Sequence, residues 1–311
     1  MRILFAGTPS VAVPSLEALS DAGFDIAAVL TRVDAPQGRK RVLTPSPVAM
    51  RAEELGLQVI KANRFDDAVL AELDALALDA AAIVAYGGLV PVRALTIPRH
   101  GWVNLHFSLL PAWRGAAPVQ HAVLNGDDVT GASTFRLEEG LDTGPVFGSM
   151  TETLRPAETS GEVLDRLSVS GAMLLVQTLS AIDAGSVEAQ PQRGGITLAP
   201  KITLADARID WNQPAVAVRR RINAVTPEPG AWTTAGNQRI KVGPVTPPDE
   251  APDRSRPAVL PGRVLVQGND VVVGTGTGPV LLRRVQPAGK KIMDAPDWAR
   301  GALAHGELVF E

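Results

Sequence analysis

The 311-residue chain predicts an α/β fold: a parallel-sheet domain followed by a smaller domain of short strands. Three observations carry that expectation. Over residues 1–185, short apolar runs alternate with segments whose apolar residues recur at spacings of three and four, as strands do between sheet-covering helices. From residue 206 onward the pattern shortens to brief alternating runs between turn residues. Between the two, residues 186–205 contain Pro191, Gly194 and Gly195 without periodicity and read as a linker.

Taken in order, residues 3–6, 26–30, 59–61, 80–85 and 103–107 predict strands. Residues 14–22, 47–55 and 66–76 predict helices with an apolar stripe, and this βαβ alternation implies a parallel sheet. Further helices are expected over 117–125 and 160–184. The first strand runs into Gly7-Thr8-Pro9, which lacks Gly-x-Gly-x-x-Gly spacing, and Pro9 removes an amide that a phosphate would use. A nicotinamide cofactor is therefore not expected. In the second domain, 206–311, a helix runs through Arg219, Arg220 and Arg221, and five strands are expected at 231–234, 239–242, 263–266, 271–274 and 280–285. Five short strands suit a small barrel, and strand counting equally allows another small β-fold. Residues 247–261 are Pro-rich with mixed charge, as in a surface loop.

Composition narrows the class. Apolar residues make up 45% and charged residues 20%, values of a globular chain, and no apolar run approaches the roughly 20 residues that span a bilayer. A cytoplasmic protein is expected. The absence of cysteine excludes disulfides and thiolate zinc, and four scattered histidines argue against a structural metal. Net charge is −3, distributed as −6 before residue 206 and +3 from there on.

The chemistry concentrates in two short segments. Asn104 and His106 stand two apart in a predicted strand, so both side chains leave the same face and can share one reacting atom. Asp142 lies in a Gly-rich turn where a carboxylate can orient and charge that imidazole. An amide, an imidazole and a carboxylate can run acyl transfer without metal. A non-haem iron reading fails on ligand count, which wants two histidines and one carboxylate, and neither His100 nor His121 repairs it.

Asn104-x-His106, Ser108-Leu109-Leu110-Pro111 with Arg114-Gly115, and Leu141-Asp142-Thr143-Gly144 together resemble the 10-formyltetrahydrofolate-dependent formyltransferases. The start Leu4-Phe5-Ala6-Gly7-Thr8-Pro9, the loop 38–48 and Gln286-Pro287-Ala288-Gly289-Lys290-Lys291 resemble the branch of that family acting on methionyl-tRNA, so the resemblance spans nearly the whole chain. It implies a Rossmann-like, folate-binding catalytic domain over 1–185 and an OB-like, tRNA-binding barrel over 206–311, in line with the positive charge of that half. It also implies 10-formyltetrahydrofolate as co-substrate, no metal, and initiator methionyl-tRNA as partner of a monomeric enzyme.

The resemblance makes Asn104, His106 and Asp142 the catalytic set. It places Ser108, Leu109, Leu110 and Pro111 against the folate, with Ala85, Tyr86, Gly87, Leu89 and Glu138 converging there from neighbouring strand ends. The family has one glycine where Gly87 and Gly88 stand here. Arg39, Lys40 and Arg41 match its tRNA-contacting loop, Arg39 foremost because a guanidinium pairs with phosphate and stacks on bases. Lys290 and Lys291 are further tRNA candidates, with Arg219 to Arg221, Arg283 and Arg284 behind them. Two alternatives stay open: the same transfer to a small amine, such as a glycinamide nucleotide or aminosugar, and a non-catalytic RNA-binding protein.

Overall fold

The computed structural model describes residues 1–38, 40–246, 259–304 and 306–311. Arg39, His305 and most of the expected surface loop, residues 247–258, lie outside the described residues. Up to residue 183 the elements are β1 (Arg2–Gly7), α1 (Val13–Asp21), β2 (Asp25–Thr31), β3 (Ala35–Gln37), β4 (Val42–Thr44), α2 (Pro47–Glu54), β5 (Val59–Lys61), α3 (Asp67–Ala75) and β6 (Ala80–Val84). They continue with α4 (Val92–Leu95), β7 (Trp102–His106), α5 (Pro118–Asn125), β8 (Val129–Arg136), β9 (Val146–Thr153) and α6 (Ser160–Asp183). Contacts group the chain into two compact units. The first holds Met1–Gly115, Val129–Thr153 and Leu164–Leu198, and the second Ala116–Asp128, Leu154–Val163 and Ala199–Glu311.

In the first unit seven strands form one sheet in the order β5-β2-β1-β6-β7-β8-β9. The five from β5 to β7 are parallel. These are the five strands expected from the sequence, and the sheet continues at one edge with two more, where β8 runs antiparallel to both β7 and β9. A connection as short as residues 137–145 returns a strand antiparallel, whereas a parallel return needs a long crossover. Strand β6 is buried on both faces, as a covered parallel sheet requires. On one face Leu4, Ala6, Leu30, Ile60 and Ile83 pack with Leu70, Leu73, Tyr86 and Trp102 into a continuous core. Helix starts are set by side-chain caps: Ser46 Oγ accepts the Ala49 N–H at 3.0 Å and Asp66 Oδ1 the Val69 N–H at 2.9 Å.

The second unit adds α7 (Ala215–Ala224), β10 (Trp232–Ala235), β11 (Gln238–Val242), β12 (Val245–Thr246), β13 (Arg263–Gln267), β14 (Asp270–Val273), β15 (Val280–Leu282), β16 (Arg284–Pro287), β17 (Met293–Asp294), α8 (Ala295–Ala302) and β18 (Leu308–Val309). Two antiparallel sheets result, β10-β11-β16-β17 and β12-β15-β14-β13-β18. The run 280–285, read from the sequence as one strand, divides at Arg283 into β15 and β16, which join different sheets. Helix α5 packs on α7 in this unit, and Arg220 Nη1 donates to the Asn125 carbonyl at 3.0 Å.

The core of this unit centres on aromatic stacking. Phe310 stacks with Trp211 at 5.5 Å between ring centres and with Trp298 at 5.6 Å, and the buried Trp211 indole donates to Thr233 Oγ1 at 2.9 Å. Replacing Trp211 by Ala removes both the stacking and a satisfied polar group. We expect a loss of about 3–5 kcal/mol in chemical unfolding of the full chain. A change below about 1 kcal/mol would show that Trp211 does not hold this core.

Candidate functional site

The pleat of β7 sends Asn104 and His106 to one face, with Val103 and Leu105 buried on the other. Register sets Asn104 beside Ile83 and Phe135, and His106 beside Ser133. The His106 ring is 7% exposed and meets Phe135 edge-on at 6.3 Å. Its Nε2 lies 2.9 Å from the Trp113 carbonyl oxygen. A carbonyl only accepts, so Nε2 carries the ring proton. Nδ1 is left with its lone pair towards Asp142 Oδ2, 3.7 Å away. Burial holds the imidazole pKa below its ordinary value, while the Asp142 charge and the Trp113 carbonyl pull the other way. The ring is therefore neutral at pH 7.

Asp142 is presented by the loop between β8 and β9 with a φ of +49°, a left-handed conformation uncommon outside glycine. Three bonds hold it. Its Oδ2 accepts the Gly115 N–H at 2.7 Å, and Gln192 Nε2 donates to the carbonyls of Asp142 and Gly144, both at 2.8 Å. The same glutamine accepts from Arg114 Nε and Nη2 at 3.1 and 2.7 Å, tying the turn after β7 to the Asp142 loop. Gly144 is required by close approach, since a Cβ there would lie 1.8 Å from the Arg136 carbonyl oxygen. Sequence reasoning missed Gln192, because a lone glutamine in an aperiodic stretch carries no motif. Thr197 acts alongside it, accepting the Trp113 N–H on its hydroxyl at 2.8 Å and the Arg114 N–H on its carbonyl at 2.9 Å.

The expected folate residues turn their hydroxyls inward, and part of their backbone is bonded within the fold as well. Ser108 is buried, and its hydroxyl donates to the Ala112 carbonyl at 2.6 Å within the turn. Ser133 Oγ donates to the Ser108 carbonyl and accepts the Leu110 N–H, which fixes the Leu109-Leu110-Pro111 turn. Tyr86 is likewise buried, its hydroxyl donating to the Ala62 carbonyl at 2.8 Å, and burial pushes its phenol pKa up. Gly88, the additional glycine, sits over this ring, where a Cβ would meet Tyr86 Cε1 at 2.7 Å. Ala85, Gly87, Leu89 and Glu138 are exposed. The Gly87 carbonyl accepts from Arg32, whose Nε bonds Asn63 at 2.7 Å.

The cationic candidates lie elsewhere in their units. Lys40 and Arg41 occupy the turn of a hairpin in which β3 pairs with β4, both exposed, next to Val42 and Leu43 at 60% and 66% exposure. Lys290 and Lys291 are exposed at the turn after β16. The lesser candidates are largely engaged: Arg220 with Asn125, Arg221 with the Asp206 carbonyl at 2.8 Å, Arg283 with Asp270 at 3.8 Å and Arg284 with Asp294 at 3.9 Å. Among the described residues no His/Asp/Glu group is placed to hold a metal, and no helix is long and apolar enough to cross a membrane.

Two outcomes follow from this geometry. Because His106 resists protonation, an acid limb of activity due to it should fall below the ordinary imidazole pKa of about 6.5. Asp142→Asn removes the charge that favours the imidazolium and should move that limb to still lower pH, as read in kcat/KM profiles and by NMR titration of the ring. An unmoved limb would separate the two residues. Gly144→Ala should lower turnover at least about 10-fold by displacing Asp142, since small misplacements of catalytic groups are costly. Wild-type turnover would show that the loop has slack.

Residues 1–179 match the formyl transferase family, and residues 201–303 match the formyl transferase C-terminal domain. The methionyl-tRNA formyltransferase of Arthrobacter sp. FB24 is 65% identical over 311 residues, all of both chains, and that of Paenarthrobacter aurescens TC1 is 63% identical, again over all of both. In fold, the chain is similar to an N-formyltransferase from Helicobacter canadensis solved with folinic acid and dTDP-3-aminofucose. That likeness has a TM-score of 0.66 at 16% identity and covers 90% of this chain and 97% of that one. With Asn104, His106 and Asp142 gathered at the end of its central sheet, the chain belongs to the formyltransferase family, and within it to the methionyl-tRNA formyltransferases.

Proposed function

We propose that this chain transfers the formyl group of 10-formyltetrahydrofolate to the α-amino nitrogen of methionine on initiator tRNA, acting as a cytoplasmic monomer. The observation that carries the reading is the buried His106 with Nδ1 3.7 Å from Asp142 Oδ2, on the strand face it shares with Asn104. One chain contributes all three residues, so the chemistry does not call for a second copy.

In the reaction, the unprotonated amine attacks the formyl carbon and the carbonyl oxygen gains charge. A proton leaves the attacking nitrogen, the bond from formyl carbon to folate nitrogen breaks, and that nitrogen takes up a proton. N-formylmethionyl-tRNA and tetrahydrofolate result. The Asn104 amide has no partner among the described side chains and backbone groups, and it donates to the developing oxyanion. The Asp142–His106 pair takes up the proton from the attacking amine and passes it on to the leaving nitrogen. The backbone groups of the 85–89 and 108–111 turns that the fold leaves unbonded read the pterin edge, since the Ser108 and Tyr86 hydroxyls are committed inward. Arg39, Lys40 and Arg41 serve the tRNA acceptor end, with Lys290 and Lys291 on its backbone.

Incubating the protein with folate donor, methionyl-tRNA and small amines tests the reading directly. Formylation of methionyl-tRNA is expected, and preferential formylation of a sugar or glycinamide amine would replace it. His106→Ala should lower kcat about 100-fold or more while folate affinity holds, because the pterin contacts are backbone. Lys40→Ala/Arg41→Ala should raise KM for methionyl-tRNA and flatten its salt dependence by about 0.7–0.9 in log–log slope for each lost phosphate contact. Normal dependence on tRNA concentration would make the hairpin turn a solvated surface only.

A further inference from the structure

We propose that Gln192 and Thr197 are positioning residues for the reaction, carried on a strap, residues 190–198, that fixes Asp142 from one side and His106 from the other. The inference rests on these two residues forming the catalytic pair of the proposed formyl transfer. The strap follows α6 and is laid along the site by main-chain bonds. Gln190 pairs with Val146, at the start of β9, through two bonds of 2.8 Å. Gly194, at a φ of +114°, passes beside Pro111. The Thr197 N–H donates to the Pro111 carbonyl at 3.4 Å, and Leu198 bridges to Arg114. All of these groups belong to the first unit.

Two side chains of the strap reach the pair. On the Asp142 side, Gln192 Nε2 donates to the Asp142 and Gly144 carbonyls, so both amide hydrogens are spent on the loop, while its Oε1 takes the Arg114 guanidinium. One amide thus ties the left-handed Asp142 to the turn after β7. On the His106 side, the group that orients the ring is the Trp113 carbonyl at Nε2. Trp113 has a φ of +59°, a conformation that persists only where surrounding bonds enforce it. Thr197 supplies those bonds, its hydroxyl accepting the Trp113 N–H and its carbonyl the Arg114 N–H. Gln192 therefore sets where the carboxylate stands, Thr197 sets which ring nitrogen carries the proton, and the 3.7 Å between Nδ1 and Oδ2 results from both. Without the Trp113 carbonyl the ring proton can move to Nδ1 and bond Asp142 directly. Of the groups facing the ring, Ser133 and Phe135 on β8 and the Trp113 peptide are uncharged and Arg114 is engaged by Gln192, so the charge acting on His106 is that of Asp142. Gln192 is half-buried and Thr197 exposed, so neither supplies core packing.

The test joins kinetics of the full chain, with methionyl-tRNA and folate donor, to nitrogen NMR of the histidine rings, the His106 signals being those lost in His106→Gln. Gln192→Leu should lower kcat about 10-fold or more while KM for donor and tRNA stays within about 2-fold. It should also move the acid limb of kcat/KM to lower pH, as Asp142→Asn does, because a displaced carboxylate no longer favours the imidazolium. On an Asp142→Asn background the same substitution should add less than about 2-fold, since Gln192 acts through that carboxylate. Thr197→Val should convert the His106 ring from the Nε2–H to the Nδ1–H tautomer, and Thr197→Ser, which keeps the hydroxyl, should restore wild-type tautomer and kcat. Thr197 is exposed, so this arm stands even where the Gln192 change disturbs folding. Unchanged kcat in Gln192→Leu, or an equal loss on both backgrounds with the acid limb in place, would overturn the role of Gln192. A ring still protonated at Nε2 in Thr197→Val would overturn that of Thr197. Absence of methionyl-tRNA formylation by wild type would defeat the reaction itself, and the tautomer, read without substrate, would still decide whether the strap sets the pair.

Discussion

The burial of one imidazole organises the first unit. His106 is closed in against Phe135 and Trp113, an environment that disfavours its charged form. A carboxylate 3.7 Å from Nδ1 opposes that cost in part. The balance suits a group that must accept a proton briefly and release it: fully desolvated it would be too weak a base, and directly ion-paired it would stay charged. The surrounding structure keeps this separation. Gln192 spans from Arg114 to the Asp142 loop, Gly115 takes the carboxylate oxygen, and Gly144 lets the loop approach β8 closely enough for these bonds to form. Removing any one of these bonds leaves a part-buried polar group unpaired, which typically costs more than the bond's net worth.

The two units are interleaved along the sequence, and this changes how a truncation should be read. Residues 186–198 look like a linker from composition, yet Gln192 and Thr197 are bound into the site of the first unit. Conversely α5, which precedes β8, packs on α7 in the second unit. A fragment ending near Lys201 would retain Gln192 and strip α5 of its partner, exposing buried Val119, Ala122 and Val123. Loss of tRNA formylation in such a fragment would therefore not separate RNA binding from folding. Point changes on exposed cations separate them.

Much of the fold was legible because periodicity reports burial. The strands at 3–6, 26–30 and 80–84 are continuous apolar runs and are covered on both faces, whereas the edge strand at 59–61 buries only Ile60. Strand β9 was not legible: its alternating burial spreads over Val-Phe-Gly-Ser-Met-Thr-Glu-Thr, with little apolar contrast at its exposed positions. At the site, the same-face relation of Asn104 and His106 follows from strand period alone, and Asp142 from its turn. What sequence could not supply was direction. Ser108 and Tyr86 are polar residues in the right turns whose hydroxyls point into the fold, and only the Ala112 and Ala62 carbonyls decide that.

The division of labour between chemistry and RNA contact has an energetic logic. In the proposed reaction, cations on an exposed hairpin turn hold tRNA equally in ground and transition states, so their binding energy lowers KM and leaves the chemical step alone. The site residues work in the opposite way, since Asn104 and the Asp142-backed imidazole gain most where charge develops on the formyl oxygen and attacking nitrogen. A small free amine would have to reach that geometry without help from remote contacts. An aminoacyl-tRNA brings its amine on a large polyanion, and the entropy of placing it beside His106 is met by phosphate contacts far from the reaction. An active site of one imidazole, one amide and one carboxylate is therefore sufficient when the nucleophile arrives already bound.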